Sequence, residues 1–298
     1  TASYEARAFG VRSGMPLAQA RRRCPEAVFL PSDHAAYDAA SAEVMAALRS
    51  FGWPVDVWGW DEAFVGPRTA DPEAVAHAIR RRVHDETHLS CAVGIGETRL
   101  QAKTATGFAK PGGVARLTRR TWIATMGERP VTAIWGIGAR TAGRLGDLGV
   151  RTVEDLARAD HTVLARHFGP TIGPSLRILG LGGDDAPLVD EPWVAKSRGK
   201  EETFTRDVVG MDAIAGHVAR LAAAVTAEVV ADGRRITHVA VKVRTASFWT
   251  RSKIAKLPDG PTTDADVVVA AAAVVLARFD VRGPVRLLGV RVVLEPPG

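Results

Sequence analysis

Residues 55–65 read VDVWGWDEAFV, and this stretch decides the fold of the first part of the chain. It predicts two short strands, Val55–Trp60 and Ala63–Val65, joined through Asp61 and Glu62. Successive side chains of a regular strand point to opposite faces, so two adjacent carboxylates converge on one site only at a turn or a bulge. The predicted strand–turn–strand arrangement provides such a turn.

Paired carboxylates at the end of a strand supply the oxygen ligands that a divalent metal ion needs in phosphoryl or nucleotidyl transfer. They also leave coordination positions for substrate phosphates and water. Asp61 and Glu62 are therefore candidate metal ligands and catalytic residues. The alternative is a solvated hairpin turn, which is the commoner state of an Asp-Glu pair taken alone.

The sequence on both sides of this pair predicts a mixed helix and strand region. Two surface helices precede it, and a helix capped by Asp71 with Pro72 in its first turn follows it. The predicted elements around the pair are the helices Pro16–Arg23 and His34–Phe51, the strand Leu89–Gly96, the helix Thr98–Ala109 and the edge strand Val114–Leu117. Together they predict a β–turn–β–α–β core.

From Arg129 the sequence changes to short helices separated by glycines, which predicts a small helical module. Its predicted helical segments are Val131–Ile134, Ala139–Leu148, Val153–Ala159 and Pro170–Leu181. The turn Gly136-Ile137-Gly138 lies between two of these helices. Two glycines let the backbone approach a phosphate while N–H groups at the helix start point at it, so this turn is a candidate phosphate contact; the alternative is a plain turn between helices.

A polar segment rich in glycine and proline, residues 182–192, predicts an interdomain linker. Beyond it the elements follow the order βαββαβ, a split βαβ sandwich, so the predicted fold class is α+β. These elements are the strand Lys200–Thr205, the helix Met211–Asp232, the strands Arg234–Thr245 and Phe248–Leu257, the helix Thr263–Phe279 and the strand Val285–Leu294.

Alternation along two of these strands predicts that one side of the sheet is basic. Lys242 and Arg244 lie on the opposite face of their strand from its valines, and Arg251 and Lys253 share a face of the next strand. A cationic sheet face suits contacts to a DNA backbone. A solvated outer face is the alternative.

Four further residues are candidate phosphate ligands. The hydroxyls of Thr1 and Tyr4 lie near Arg7 in sequence, and arginine binds phosphate oxygens in bidentate fashion. Lys110 stands where a helix breaks into a proline and glycine turn. The alternatives are an ordinary helix start for the first three and a cationic helix C-terminus for Lys110.

The composition is that of a folded globular chain and excludes intrinsic disorder. Of the 298 residues, 46% are hydrophobic and 24% charged, and the net charge of +6 favours polyanionic partners only weakly. Two cysteines, Cys24 and Cys91, cannot form a disulfide framework or a four-cysteine zinc site, so we expect a reducing, cytoplasmic location. The longest uncharged apolar stretch, Val267–Ala277, is shorter than the roughly 20 residues that span a bilayer, so no membrane span is predicted.

Four motifs occur along the chain in a fixed order. They are SYEARAFGV (3–11) with SGMP (13–16), WDEAFV (60–65), CAVGIGETRLQAKTATGFAKPGG (91–113) and WGIGARTAGRLGDLGV (135–150). In this order and spacing they resemble the Y-family translesion DNA polymerases, and most of all the DNA polymerase IV (DinB) branch. The resemblance covers nearly the whole chain.

The resemblance implies a polymerase right hand. Its parts would be partial fingers (1–33), a partial palm (34–117), a helix–hairpin–helix thumb (118–186), a linker (187–195) and a little finger (196–298). It implies that Asp61 is a metal-binding aspartate and Glu62 the neighbouring catalytic glutamate. It also implies triphosphate contacts for Thr1, Tyr4, Arg7 and Lys110, and DNA contacts for Gly136, Ile137, Gly138, Lys242, Arg244, Arg251 and Lys253.

The implied reaction is attack of a primer 3′-hydroxyl on the α-phosphate of a dNTP, with two Mg²⁺ ions as cofactors. The implied partners are primer–template DNA and dNTP, and the implied state is a monomer. A sliding clamp is a further possible partner, although no clamp-binding peptide follows Leu294.

One family feature lies outside this sequence. The family carries another metal-binding aspartate, in a motif like D-x-D-x-F-F, upstream of SYEAR, and the sequence begins just before SYEAR. We therefore expect the chain as given to be inactive or nearly so. The alternatives to a polymerase are a non-catalytic DNA-binding accessory protein with the same architecture and, more weakly supported, a helix–hairpin–helix nuclease.

Overall fold

The computed structural model describes residues 1–184 and 186–296. Asp185 of the predicted linker stretch and residues 297–298 of the predicted little finger lie outside the described residues. The chain divides into two compact units, residues 1–191 and residues 192–298, and the boundary falls inside the segment 187–195. Helices and strands occur in both units, which confirms the α+β class.

The first unit consists of short helices with four short strands among them. Its elements are α1 (Tyr4–Ala8), α2 (Leu17–Arg23), α3 (His34–Arg49), β1 (Val55–Gly59), β2 (Glu62–Val65), α4 (Pro72–Thr87), β3 (Val93–Ile95), α5 (Arg99–Ala109), β4 (Val114–Arg116), α6 (Arg119–Met126), α7 (Ala139–Gly146), α8 (Val153–Arg158), α9 (His161–Phe168) and α10 (Ile172–Gly180), with a 3₁₀ turn at Val131–Ala133. Side-chain oxygens of Asp33, Asp71 and Thr98 accept backbone N–H groups and so begin α3, α4 and α5.

Strands β1 and β2 form the predicted hairpin. Val55 pairs with Val65 and Val57 with Ala63, and the register then slips by one residue so that Gly59 lies opposite Glu62. The turn consequently consists of Trp60 and Asp61, and Glu62 is the first residue of β2. The prediction that both carboxylates lie in the turn is wrong for Glu62, because the irregularity in β1 moves the tip by one residue.

The remaining strands of this region are shorter than predicted. β3 pairs in parallel with β4 over three residues only, so the predicted strand Leu89–Gly96 is reduced to Val93–Ile95. Within the described residues the hairpin and the β3–β4 pair are separate two-stranded sheets. They share one apolar cluster in which Met45, Ile79 and Val83 of the helices pack with side chains of both sheets.

The helical module of the first unit has its own core. Trp122 is fully buried in it, and its indole N–H donates to the carbonyl oxygen of Gly180 at 2.8 Å. Helices α9 and α10 approach so closely that a Cβ atom at Gly173 would lie 2.4 Å from the backbone nitrogen of Ala165. The helices α6 and α9 were not predicted from the sequence.

The second unit is a four-stranded antiparallel sheet covered by two helices. Its elements are β5 (Ser197–Val208), α11 (Met211–Ala231), β6 (Ile236–Thr245), β7 (Thr250–Lys256), α12 (Ala265–Leu276) and β8 (Val285–Leu294). The strand order is β5-β8-β6-β7. Strand β8 lies between β5 and β6 and is antiparallel to both, so β5 and β6 run in the same direction without pairing. The predicted split βαβ arrangement is confirmed.

Helix α11 is long and apolar enough, by length and composition alone, to cross a membrane. Seven of its residues are instead buried within the second unit, among them Val218, Leu221 and Val225, which belong to the core that the sheet shares. Core helices of globular domains pass the same test of length and composition, so α11 is weak evidence for a membrane span.

Candidate active site and nucleic-acid interface

The tip of the β1–β2 hairpin is held by the first turns of α3. The indole N–H of Trp60 donates to Oδ1 of Asp38 at 2.7 Å, and the Trp60 ring lies 5.3 Å from the ring of His34 and 5.8 Å from that of Tyr37. Asp61 follows Trp60 directly and is exposed. The structure therefore fixes the residue before Asp61 and leaves the Asp61 side chain accessible.

Glu62 is half-buried and forms an ion pair with Lys103 of α5. The same helix ends at Lys110, which is exposed and caps it in an extended conformation. Seven residues separate Lys103 from Lys110, which is about two helical turns, so both lysines lie on nearly the same side of α5, about 10 Å apart along its axis. Helix α5 thus connects Glu62 to a candidate phosphate ligand.

The donor set at the hairpin suits a hard divalent cation only in part. Asp61 and Glu62 offer carboxylate oxygens, which Mg²⁺ prefers, but the described residues contain no group of three or more His, Cys, Asp or Glu side chains that could hold a metal ion. Magnesium commonly uses one or two carboxylates and completes its shell with water and substrate phosphates, so the two residues fit such an ion in the presence of substrate.

The amino-terminal segment gathers the other three phosphate candidates. The guanidinium of Arg7 lies 5.5 Å from the ring centre of Tyr4, and its Nε–H donates to the carbonyl oxygen of Ala2 at 3.0 Å. The Thr1 hydroxyl lies 3.4 Å from the hydroxyl of Ser13. Thr1, Tyr4 and Arg7 are exposed, and no hydrogen bond or ion pair of the described residues joins them to Asp61, Glu62 or Lys110.

A buried ionic network lies beside the hairpin, and it was not predicted. Arg99 of α5 contacts Oδ2 of Asp56 at 3.1 Å and Oδ2 of Asp184 at 3.2 Å, and the three side chains are between 10% and 16% exposed. The Arg99 guanidinium also lies 5.0 Å from the ring centre of Trp58. Because an arginine donates in several directions at once, it can hold two carboxylates that would otherwise repel each other.

The turn at residues 136–138 combines a glycine of positive φ with a helix start that has no side-chain cap. Gly136 has φ +94°, a conformation that favours glycine, and Gly138 is the N-cap of α7 and brings no capping side chain. Ile137 is buried and anchors the turn in the module core, whereas both glycines are exposed. The first N–H groups of α7 are therefore accessible to an anion.

The four basic residues of the second unit do not share one face, so the prediction that they form one basic face is wrong for Arg251 and Lys253. Val243 pairs with Arg251 and Val241 with Lys253, and cross-strand partners point to the same side. Arg251 and Lys253 therefore lie on the face that carries the buried valines. Lys253 is engaged there, since its ammonium donates to the carbonyl oxygen of Arg278.

Lys242 and Arg244 lie on the opposite, open face of the sheet. Arg291 of β8 lies there too, because it pairs with Ala240, two residues before Lys242 on β6. It is exposed and was missed from the sequence, since only the order of strands in the sheet places β8 beside β6. Lys103 was missed as well, although its spacing of seven residues from Lys110 was a signal that could have found it.

Comparison with known proteins identifies the chain. The impB/mucB/samB family profile matches residues 1–107, and the profile of that family's C-terminal domain matches residues 195–293. DNA polymerase IV 2 of Mycobacterium tuberculosis (strain ATCC 25618 / H37Rv) is 51% identical over 296 residues, which cover 98% of this chain and 85% of the relative. The chain belongs to the DinB-type Y-family DNA polymerases.

Other members of this DNA-directed DNA polymerase family agree with the assignment, which confirms the resemblance drawn from the motifs. DNA polymerase IV of Methanoculleus marisnigri (strain ATCC 35101 / DSM 1498 / JR1) is 36% identical over 295 residues, covering 98% of this chain and 81% of the relative. A solved Y-family DNA polymerase chimera, Dbh-Dpo4(243-245)-Dbh, shares the fold with a TM-score of 0.84 at 24% identity, covering 98% of this chain and 86% of the chimera.

Proposed function

We propose that this Y-family polymerase adds deoxynucleotides to a primer 3′-hydroxyl under the direction of a template, as a translesion enzyme, and that Asp61 and Glu62 carry the reaction. The observation that supports this most is the hairpin tip. It presents two adjacent carboxylates beside α5, whose Lys103 holds Glu62 and whose end carries Lys110. The remaining motifs of the family surround this hairpin in sequence.

Asp61 and Glu62 would hold the catalytic magnesium, with two ions expected. When bound there, magnesium supplies positive charge that lowers the pKa of the primer hydroxyl and stabilises the pyrophosphate that leaves. The chain's own contribution is position. The Asp38–Trp60 hydrogen bond holds the residue before Asp61, and the Lys103–Glu62 ion pair holds the Glu62 carboxylate.

Thr1, Tyr4, Arg7 and Lys110 would bind the triphosphate of the incoming nucleotide. Arg7 is exposed, and its Nε–H is directed to Ala2, an arrangement that orients the guanidinium and leaves its terminal nitrogens to form a fork for phosphate oxygens. Lys110 would add a point charge from the end of α5. These four residues would contact the triphosphate and not the base, so their contacts would be the same for all four dNTPs.

DNA would be bound through its backbone at two surfaces. The turn Gly136-Ile137-Gly138 would present the N–H groups of α7 to a phosphate, and the open face of the second unit would add Lys242 and Arg244. Arg251, although it lies on the other face, is exposed and remains a candidate; Lys253 is already engaged with Arg278. Such contacts do not depend on base sequence.

The proposed enzyme is monomeric and cytoplasmic. Its substrates are primer–template DNA and dNTP, and a sliding clamp is an optional partner.

Primer extension with Mg²⁺ tests the proposed function, using protein expressed from its complete coding sequence. We expect template-directed addition that Glu62→Gln lowers by about 100-fold or more, because several kcal/mol of charge stabilisation are lost. Glu86→Gln, an exposed pair partner of Arg82, is the matched control and should leave the rate unchanged. DNA binding without any extension would instead support the accessory-protein alternative.

A further inference from the structure

The open face of the second unit carries several cations, and the residues that strand register pairs on it include one acidic side chain. Strand register places four rows of residues on this face, each crossing β5, β8, β6 and β7. The rows are Ser197, Val293, His238 and Lys256; Gly199, Arg291, Ala240 and Ile254; Glu201, Gly289, Lys242 and Ser252; and Thr203, Leu287, Arg244 and Thr250. Glu201 is the carboxylate in these rows.

The side chain of Glu201 on β5 extends over β8 and contacts Lys242 on β6. Both residues flank Gly289 in register, on either side of β8, and Oε1 of Glu201 lies 2.6 Å from Nζ of Lys242. A Cβ atom at position 289 would lie 2.8 Å from Cγ of Glu201, so the glycine makes room for this path. The ion pair therefore depends on the absence of a side chain at Gly289 of β8.

The pair sits in a shallow depression of about 570 Å³ at the middle of this face. Small residues form its floor, and Arg291 lies in the row next to Lys242. A phosphate entering the depression would meet two cations, but it would also meet the Glu201 carboxylate. Since that carboxylate neutralises Lys242 and repels a phosphate, it opposes phosphate binding in the depression that Lys242 and Arg291 line.

We propose that Glu201 is a built-in restraint on DNA binding by this face: it occupies Lys242 in the free protein and must release it when a backbone phosphate arrives. This inference rests on the proposed role of Lys242 and Arg244 in contacting DNA. Its consequence is a face that binds duplex DNA more weakly than its cations alone would allow.

The expected effect has a definite size and a definite salt signature. An exposed ion pair is worth little, so its removal should tighten DNA binding by about three- to fivefold. Freeing Lys242 for a phosphate should also steepen the dependence of log Kd on log salt by about one unit, because one more counterion is released from the DNA.

Equilibrium binding of a fluorescent primer–template duplex to the full chain, measured by anisotropy over a range of salt concentrations, tests the proposal without requiring turnover. Glu201→Gln should tighten binding as stated, and the gain should disappear in the double variant Glu201→Gln, Lys242→Gln. Glu202→Gln is the matched control, since it changes the net charge equally but pairs with Arg220 on the other side of the sheet. It should leave Kd unchanged.

Three results would overturn the proposal. Equal tightening by Glu201→Gln and Glu202→Gln would show a net-charge effect only. Weaker binding by Lys242→Gln together with no change by Glu201→Gln would refute the restraint and keep the DNA-binding role of the face. No change in either Lys242→Gln or Arg244→Gln would refute that role and the restraint with it. A thermal melt of each variant shows whether its fold is retained.

Discussion

The ammonium of Lys103 lies against the carboxylate of Glu62, and this contact ties α5 to the first residue of β2. The Lys103 side chain is 28% exposed and that of Glu62 is 41% exposed, so the pair is partly shielded from water. Under the proposed function, this pair holds the Glu62 carboxylate in place for the reaction, and Lys103 acts as a positioning residue.

Replacing Lys103 should impair catalysis more than DNA binding. Lys103→Met leaves Glu62 without its partner, and we expect the rate of nucleotide addition to fall by about tenfold because the carboxylate loses its position. The Mg²⁺ concentration for half-maximal rate should shift in the same variant, a readout that general destabilisation would not move. Lys103→Arg, which keeps the charge, should restore most of the rate. A Met variant with wild-type magnesium dependence would contradict the positioning role.

Loss of Arg99 should destabilise the first unit strongly. Asp56 and Asp184 are nearly buried, so Arg99→Met would leave two shielded carboxylates without a cation, and we expect about 3–5 kcal/mol less stability in urea unfolding. Arg82→Met is the control. Its pair with Glu86 is exposed, and its loss should cost less than about 1 kcal/mol. Similar losses in both variants would show that burial of the network does not matter.

The turn before α7 should respond differently to alanine at its two glycines. Gly138 has φ −83°, and a Cβ atom added to it would have no neighbouring atom within 4 Å, so Gly138→Ala should fold normally. It should nevertheless weaken DNA binding by about three- to tenfold, because a methyl group would stand between the backbone and a phosphate. Gly136→Ala should also cost about 1–2 kcal/mol of stability, since its φ of +94° strains alanine.

Gly146→Ala, at the other end of α7, is the control for that pair of variants, because its Cβ would also meet open space. Its DNA affinity should equal that of the wild type. If Gly138→Ala binds DNA as tightly as Gly146→Ala, the turn does not contact a phosphate through its backbone.

The capping box of α8 should make stability depend on pH. Oδ2 of Asp155 accepts the backbone N–H groups of Thr152 at 2.9 Å and Arg151 at 3.0 Å, and these bonds, that of Thr152 foremost, lower the pKa of Asp155 below its ordinary 3.8. Because the folded pKa is the lower one, the stabilisation is complete above the unfolded pKa and is lost as the pH falls through the folded pKa.

Urea unfolding of Asp155→Asn checks this expectation. At about pH 7 the variant should be less stable than the wild type by about 0.5–1 kcal/mol, typical of a lost helix cap, and the difference should shrink as the pH falls below the ordinary pKa of 3.8. Asp147→Asn, at an exposed aspartate of the same module outside the capping box, is the control. A difference that is constant with pH would contradict the assignment.

The sequence predicted the hairpin, the helical module and the split βαβ unit, because each depends on local pattern. Strand β8 was predicted with its observed bounds, since residues 285–294 are rich in valine and leucine and are bounded by Gly283-Pro284 on one side and Pro296 on the other. The hairpin tip was displaced by one residue because a bulge at Val57–Gly59 has no sequence signature strong enough to place it.

What depends on register or on distant contacts could not be predicted. The face of Arg251 follows from its pairing with Val243, which the turn between β6 and β7 sets, and a shift of one residue would reverse it. Arg99 meets Asp56 and Asp184 across 43 and 85 residues of chain, and no periodicity reports such a meeting. The candidate catalytic residues Asp61 and Glu62 could be identified from a motif, whereas the ionic contacts of Lys103 and Arg99 could not.

The most direct measurement is the single-turnover rate of nucleotide addition by Asp61→Asn, in protein expressed from its complete coding sequence and saturated with primer–template DNA, dNTP and Mg²⁺. We expect a fall of about 100-fold or more with DNA affinity within about twofold of the wild type, because Asp61 is exposed and its replacement would remove a proposed metal ligand and no packing. Asp85→Asn, an exposed control, should react at the wild-type rate. A wild-type rate for Asp61→Asn would contradict the proposed role of Asp61 in catalysis.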